Sequence, residues 1–267
     1  MQMILASVDF SDTSRNALSF AAELSSRYAT RLVIVNVVQR NEEEREAELK
    51  LSSLETELKE RFGAGLQCEV FIAHGSLVGV IEKITAAQRP DLVVMGTKGA
   101  SGLKKILLGS NTVQVISNIK VPALVIPEVA RFEQFLHKGK NRIVLATDLD
   151  ELKNEQALDI LKKIALVIPD SKIRVLSVRD KKAELSDSKR AERENLLAYF
   201  KPEIPAERVT VFSKGVISGI NFYLSQRHED TGLVAMIARD SGHLIQKHYT
   251  REMASHTHLP LLVLHEG

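Results

Sequence analysis

Five short apolar runs rich in β-branched residues punctuate the first half of the chain, at about residues 3 to 8, 31 to 38, 68 to 73, 91 to 95 and 121 to 126. Between them lie longer segments whose apolar residues return every three or four positions. Strands apolar on both faces, alternating with amphipathic helices, are the pattern of βαβ units around a parallel sheet. The pattern therefore predicts an α/β fold. A first helix is expected to begin at Ser11-Asp12, which supplies N-cap chemistry, with Ala17, Phe20, Ala21 and Leu24 on one face. A second is expected over about Asn41 to Phe62, where Ala47, Leu51, Leu54, Leu58 and Phe62 form one stripe and the charged remainder reads as a solvated face.

The same order of elements returns after Lys140. Ile4 to Asp9 is echoed by Ile143 to Asp148 at an offset of 139, and His74 to Gly79 by Lys214 to Gly219 at 140. Leu92 to Met95 returns as Leu233 to Met236 at 141, and Val121 to Val125 as Leu259 to Val263 at 138. Offsets this steady mark a duplicated domain. The expected division is residues 1–128, a linker over 129–140 holding Phe132, Phe135 and Leu136 as a short helical connector, and residues 141–267. The charge run from Lys181 to Glu194 reads as part of the second helix of the second copy.

Composition narrows the function classes. Thirty-six basic against 34 acidic side chains leave a formal charge of +2 with both signs interspersed, so the electrostatic footprint of a nucleic-acid binder is absent. The sole cysteine, Cys68, sits among apolar residues and is expected to be inert packing in a reducing compartment. No apolar run approaches the ~18 residues that span a bilayer, and the opening residues carry no basic leader segment. The expected location is the cytoplasm, with no membrane partner. Six histidines of the second half, His228, His243, His248, His256, His258 and His265, lack a recognisable zinc-ligand spacing and read as ordinary loop and helix-end residues.

Gly96 to Thr112 joins the fourth strand to the next helix. Gly96, Gly99 and Gly109 permit tight turning and close backbone approach to an anion, and Ser110 stands at the helix start, where N–H groups converge. The segment reads as a phosphate cradle, with Lys98, Lys104 and Lys105 adding positive charge nearby. In the second copy Ile237 replaces Gly96, Asp240 replaces Gly99, and Lys247 and His248 replace Gly109 and Ser110. The fall in offset from 141 to 138 places a three-residue deletion in that loop. A branched side chain, a carboxylate and a shortened loop all oppose phosphate binding, so the second copy is expected to keep the fold and lose the site.

Gly96-x-x-Gly99, nine residues, then Gly109-Ser110 resembles the nucleotide motif of ATP-binding universal stress proteins. Ile4 to Ser11 and Val121 to Ile126 are similar to the opening and closing strands of that family. The resemblance is strong in the first half and weaker in the second. It implies two tandem Rossmann-like domains of the adenine nucleotide alpha hydrolase-like type, each a five-stranded parallel sheet of order 3-2-1-4-5 flanked by helices. By resemblance, Asp9 stands beside the ribose and the Mg2+-bridged phosphates, and Gly99, Gly109, Ser110 and Asn111 hold phosphate. Val37, Met95 and Gly96 lie beside the nucleotide, and Ser7 stands where the family often has a proline touching adenine. The implied cofactors are ATP, with ADP or AMP as variants, and Mg2+. The closing strands are apolar on both faces, which with the resemblance implies an intrachain pseudo-dimer and leaves a homodimer open.

The resulting expectation is a stress-response protein that binds adenine nucleotide in its first domain and acts through nucleotide-dependent interactions with a protein partner of unknown identity. Two other classes stay open. One is an inert scaffold; the other is a weak ATPase or a nucleotidyl-transfer enzyme. No general base accompanies the motif, no Walker lysine-serine pair is present, and no catalytic residue is assigned. Helix-capping roles for Asp9 or Asp12, and a loop role for His74, remain alternatives at those positions.

Overall fold

The computed structural model describes residues 1–63, 65–97, 110–136, 139–152, 155–180, 184–239 and 258–265. Strands and helices alternate as the hydrophobic pattern predicts. They run β1 (Met3–Val8), α1 (Asp12–Tyr28), β2 (Arg31–Val38), a 3-10 turn (Asn41–Glu43), α2 (Glu44–Phe62), β3 (Cys68–His74), α3 (Leu77–Gln88), β4 (Leu92–Gly96), α4 (Ser110–Asn118) and β5 (Ala123–Ile126). After a one-turn helix α5 (Glu133–Leu136) come β6 (Arg142–Ala146), α6 (Gln156–Val167), β7 (Lys172–Arg179), α7 (Asp187–Phe200), β8 (Ala206–Phe212), α8 (Val216–Gln226), β9 (Thr231–Ala238) and β10 (Leu261–His265). The chain divides into two compact units, Met1–Phe132 with Ala254–His258, and Glu133–Met253 with Leu259–Gly267.

In the first unit the strand order is β3-β2-β1-β4-β5, and each of these pairings is parallel. The second unit repeats it as β8-β7-β6-β9-β10, again parallel throughout. The registers coincide as well. Ile4 pairs with Leu92 and its counterpart Ile143 with Leu233; Gly96 pairs with Ile126 and its counterpart Ile237 with Leu264. The change of offset thus falls wholly between β9 and β10, where the sequence places the deletion.

Central strands are apolar because both faces are covered. All six residues of β1 and all five of β4 are buried, whereas β3 and β8, the outer strands of their sheets, have only half-buried and exposed positions. Helix α1 buries Ala17, Leu18, Phe20, Ala21 and Leu24, its small residues letting the helix lie close to β1 and β4. Each large aliphatic side chain so buried contributes roughly 1.5–3 kcal/mol. Serine caps fix the helix starts: Ser11 Oγ accepts from Ser14 N at 3.2 Å, Ser76 Oγ from Gly79 N at 3.2 Å, and Ser186 Oγ from Lys189 N at 3.4 Å. Each such cap is worth about 1 kcal/mol. Asn16 Nδ2 donates to the carbonyls of Pro127 and Ala130 at 3.2 and 2.8 Å, tying the chain beyond β5 back onto α1.

Candidate functional site

The strand order reverses between β1 and β4, so neighbouring crossovers leave a crevice outside the carboxyl ends of these two strands, where open α/β sheets take their ligands. Ser7 is buried near the end of β1, and the next rung inward pairs Ala6 with Val94. Asp9 follows β1 and is exposed at the mouth of the crevice. The chain then turns through Phe10, whose φ of 63° lies in the left-handed region. This turn is braced by side chains. Asp9 Oδ1 accepts from Ser11 N at 3.1 Å and from Ser11 Oγ at 2.6 Å, while Ser14 Oγ donates to Ser11 O at 3.0 Å and accepts from Asp9 N at 3.3 Å. Ser11 is the N-cap of α1, and Asp9 holds it from the preceding turn.

At the end of β4, Met95 is buried and Gly96 closes the strand. A Cβ on Gly96 would meet Thr13 Cγ2 at 2.8 Å and the Thr13 carbonyl oxygen at 3.0 Å. The absence of a side chain here admits the first turn of α1 against the strand, a packing requirement that the loop motif alone does not suggest. Thr112 Oγ1 donates to Gly96 O at 3.0 Å and Thr97 N to Ile126 O at 3.1 Å, so the start of α4 is fastened to the end of β4. Ser110 and Asn111 open α4 and are exposed. Gly99 and Gly109 lie outside the described residues, as do Lys98, Lys104 and Lys105.

Val37, near the end of β2, is half-buried rather than part of the core. Its neighbour Asn36 is a polar residue inside an apolar run, buried, with Nδ2 donating to Val8 O at 2.7 Å. Sequence reasoning passed over Asn36; its signal was that lone amide in a β-branched strand. It locks β2 to the last carbonyl of β1, immediately before Asp9. Lys50 Nζ sits 5.4 Å from the centre of the Phe10 ring, and His74 Nε2 lies 3.5 Å from Glu44 Oε2 at the same end of the sheet.

In the second unit, Leu149 repeats Phe10 with φ of 60°, and Asp148 Oδ1 accepts from Asp150 N at 3.1 Å as Asp9 accepts from Ser11. The helices then part company. α1 begins with the third residue after Asp9, α6 only with the eighth after Asp148. Ile237 stands at the register position of Gly96, so the second unit has a branched residue where the first unit packs Thr13 of α1 against a glycine. The helix start has retreated by more than one turn.

Other chemistry is sparse. Among the described residues no group of three or more His, Cys, Asp or Glu is placed to hold a metal ion. Burial pushes the Cys68 thiol up to about 11, with the Glu55 carboxylate adding to the shift, which leaves little thiolate at neutral pH. His228 Nδ1 lies 3.1 Å from Ser225 O; His243, His248 and His256 lie outside the described residues, as do Asp240 and Lys247. No described helix is long and apolar enough to cross a membrane.

Comparison with known proteins adds an independent line. Residues 1–127 match the model of the universal stress protein family. A universal stress protein of Methanocaldococcus jannaschii is 29% identical over 150 residues, covering 46% of this chain and 93% of that protein. A solved universal stress protein from Archaeoglobus fulgidus superposes with a TM-score of 0.75 at 19% identity, covering 99% of this chain and 98% of that one. A functionally unknown protein from Pseudomonas aeruginosa does so with a TM-score of 0.67 at 14% identity, covering 99% and 92%. At these identities the two structures show that the fold is shared over the whole chain.

Proposed function

We propose that the first unit, whose residues 1–127 match the universal stress protein family, binds one adenine nucleotide, of the ATP type, at the crevice between β1 and β4. The observation that supports this reading is Asp9, exposed and braced by Ser11 where β1 ends, across the switch in strand order from a β4 to whose end the start of α4 is fastened. The phosphates would meet backbone N–H groups at Gly99 and Gly109 and at the first turn of α4, where Ser110 and Asn111 stand and the helix dipole favours negative charge. Ser7, Val37, Met95 and Gly96 would lie toward the base and sugar.

Mg2+ suits this donor set, because it takes one or two carboxylates together with substrate phosphates. Asp9 is the residue to hold it; when bound, the ion would neutralise phosphate charge. The role is binding. Among the described residues no group at the crevice is poised to deprotonate water, and they supply braced turns and helix ends. Bound nucleotide would then alter how the protein meets a protein partner in a stress response within the cytoplasm.

The test is direct. Adenine nucleotide released on denaturing the purified protein, and a rise in Tm with Mg·ATP that is absent from a Gly99→Asp variant, are the expected results. At a hundredfold excess over Kd the stabilisation is about 2.7 kcal/mol. Neither released nucleotide nor a Tm shift would favour an inert scaffold, and an unchanged shift in Gly99→Asp would place the site elsewhere.

A further inference from the structure

At the second unit's counterpart of the crevice the structure contains a buried cation of its own. Arg239 follows β9 directly, at the position equivalent to Lys98, and its side chain is 6% exposed. Its Nη1 donates to Glu151 O at 2.8 Å, its Nη2 donates to Asp150 O, and the same Nη2 lies 3.4 Å from Asp148 Oδ1. These oxygens belong to the turn that leaves β6, and their counterparts in the first unit are those of Asp12, Ser11 and Asp9.

The two units use this turn differently. In the first, Ser11 O accepts from Arg15 N at 2.9 Å and so opens α1. In the second, the carbonyls of Asp150 and Glu151 are taken by a guanidinium, whose planar fork can meet several oxygens at once. The carbonyl that opens α1 in the first unit thus has a counterpart bonded to a side chain in the second, where helix α6 begins only at Gln156. The surroundings add further charges of both signs. Lys189 Nζ donates to Asp148 O at 2.9 Å and lies 2.8 Å from Asp150 Oδ1. From α7, the carboxylate of buried Glu192 accepts from Leu152 N. Burial acts to raise the Asp150 carboxyl, but its bond to Lys189 and the nearby charge of Arg239 hold it below its ordinary value.

We propose that the oxygens of Asp148, Asp150 and Glu151 form a cation site that Arg239 fills from within, closing the second unit to ligands and pinning residues 147–152 outside the helix. The oxygen set, a carboxylate with two backbone carbonyls and a second carboxylate at Asp150, is of the kind that hard divalent cations accept. An internal guanidinium removes that opportunity and does so without a soluble ligand. This inference rests on the equivalence of the two units and not on nucleotide binding in the first, so the two readings fail separately.

Hydrogen exchange on the full chain tests it at two amides that the turn itself protects. Leu149 N donates to Thr147 Oγ1 at 3.0 Å and Asp150 N to Asp148 Oδ1 at 3.1 Å. In Arg239→Met these amides are expected to exchange about tenfold faster or more, while the β6 and β9 amides keep their rates. Millimolar MnCl2 should slow them again in Arg239→Met and leave them unchanged in the natural protein. Unchanged exchange in Arg239→Met, no response of that variant to Mn2+, or a response of the natural protein would each overturn the proposal. Should Arg239→Met fail to fold, Asp148→Asn removes the charge that faces the guanidinium and keeps an amide oxygen for Asp150 N; faster exchange confined to residues 147–152 supports the proposal, and its absence overturns it.

Discussion

Phe10 and Leu149 adopt the same left-handed backbone conformation, φ 63° and 60°, at equivalent points of the two units. Neither is a glycine, so each costs roughly 1–2 kcal/mol of local strain. In both units the preceding aspartate accepts an N–H from two residues on, at 3.1 Å, and holds the turn. The turn therefore belongs to the fold. What separates the units lies after it, in whether the next carbonyls enter a helix or take up Arg239.

Gly96 should be intolerant of a side chain for a packing reason. An added Cβ meets Thr13, including its backbone, which cannot rotate away. Gly96→Ala is expected to lower stability by about 1–3 kcal/mol, as overpacking of a closed interior does. Gly96→Ile, which copies the second unit, should cost more and speed amide exchange in the first turn of α1. Thermal unfolding with exchange at residues 12–15 checks both; a neutral Gly96→Ile would contradict the packing account.

Much of this was legible in the chain and some was not. Buried strands such as β1 and β4 announce themselves as continuous apolar runs, and Ser11 announces α1, because cap chemistry is local. Ser7, Asp9, Met95 and Gly96, singled out from sequence, do lie at the ends of β1 and β4. Strand order came from family resemblance, since periodicity carries none. The true neighbour of Gly96, the bond from Asn36 to Val8 and the delayed start of α6 depend on residues distant in sequence. Ile237 was visible as a lost glycine; that α6 begins only at Gln156 was not.

Cys68 should be a slow thiol. With its group pushed up to about 11, against an ordinary value of 9.0, the thiolate fraction at pH 8 falls about a hundredfold. Alkylation by iodoacetamide should be slower than that of an unstructured cysteine by about that factor, and should climb about tenfold per pH unit up to pH 10. A rate equal to that of a free thiol at pH 8 would contradict the burial argument.

The second unit carries a pH-dependent ion cluster remote from its counterpart of the crevice. Arg174, nearly buried on β7, donates from Nε to Glu207 at 2.9 Å and from Nη1 and Nη2 to Asp230 at 3.0 and 2.9 Å. The hydrogen bond from Arg174 holds the Glu207 carboxyl below its ordinary value of 4.5. A carboxyl lowered on folding binds fewer protons folded than unfolded, so its stabilisation is fully present above pH 4.5 and fades as pH falls through the folded value. Urea unfolding of the natural protein and of Glu207→Gln should differ by a constant amount from pH 6 to 7 and converge toward pH 3. A gap that stays constant down to pH 3 would show that the pairing contributes nothing.

Asp9 is exposed, so its loss should spare the fold. Asp9→Ala removes the acceptor of Ser11 and should cost about 0.5–2 kcal/mol, the size of a helix-cap effect, while weakening Mg·ATP binding at least about tenfold. A circular dichroism melt beside a titration separates the two effects. Unaltered affinity in a folded Asp9→Ala protein would remove this residue from the site.

The number of nucleotides bound per chain tests the account most directly. Equilibrium dialysis of Mg·ATP against the full chain should give one per chain, lost or greatly weakened in Asp9→Ala and kept in Asp148→Ala. Two per chain, none, or a single site abolished by Asp148→Ala and untouched by Asp9→Ala would contradict it.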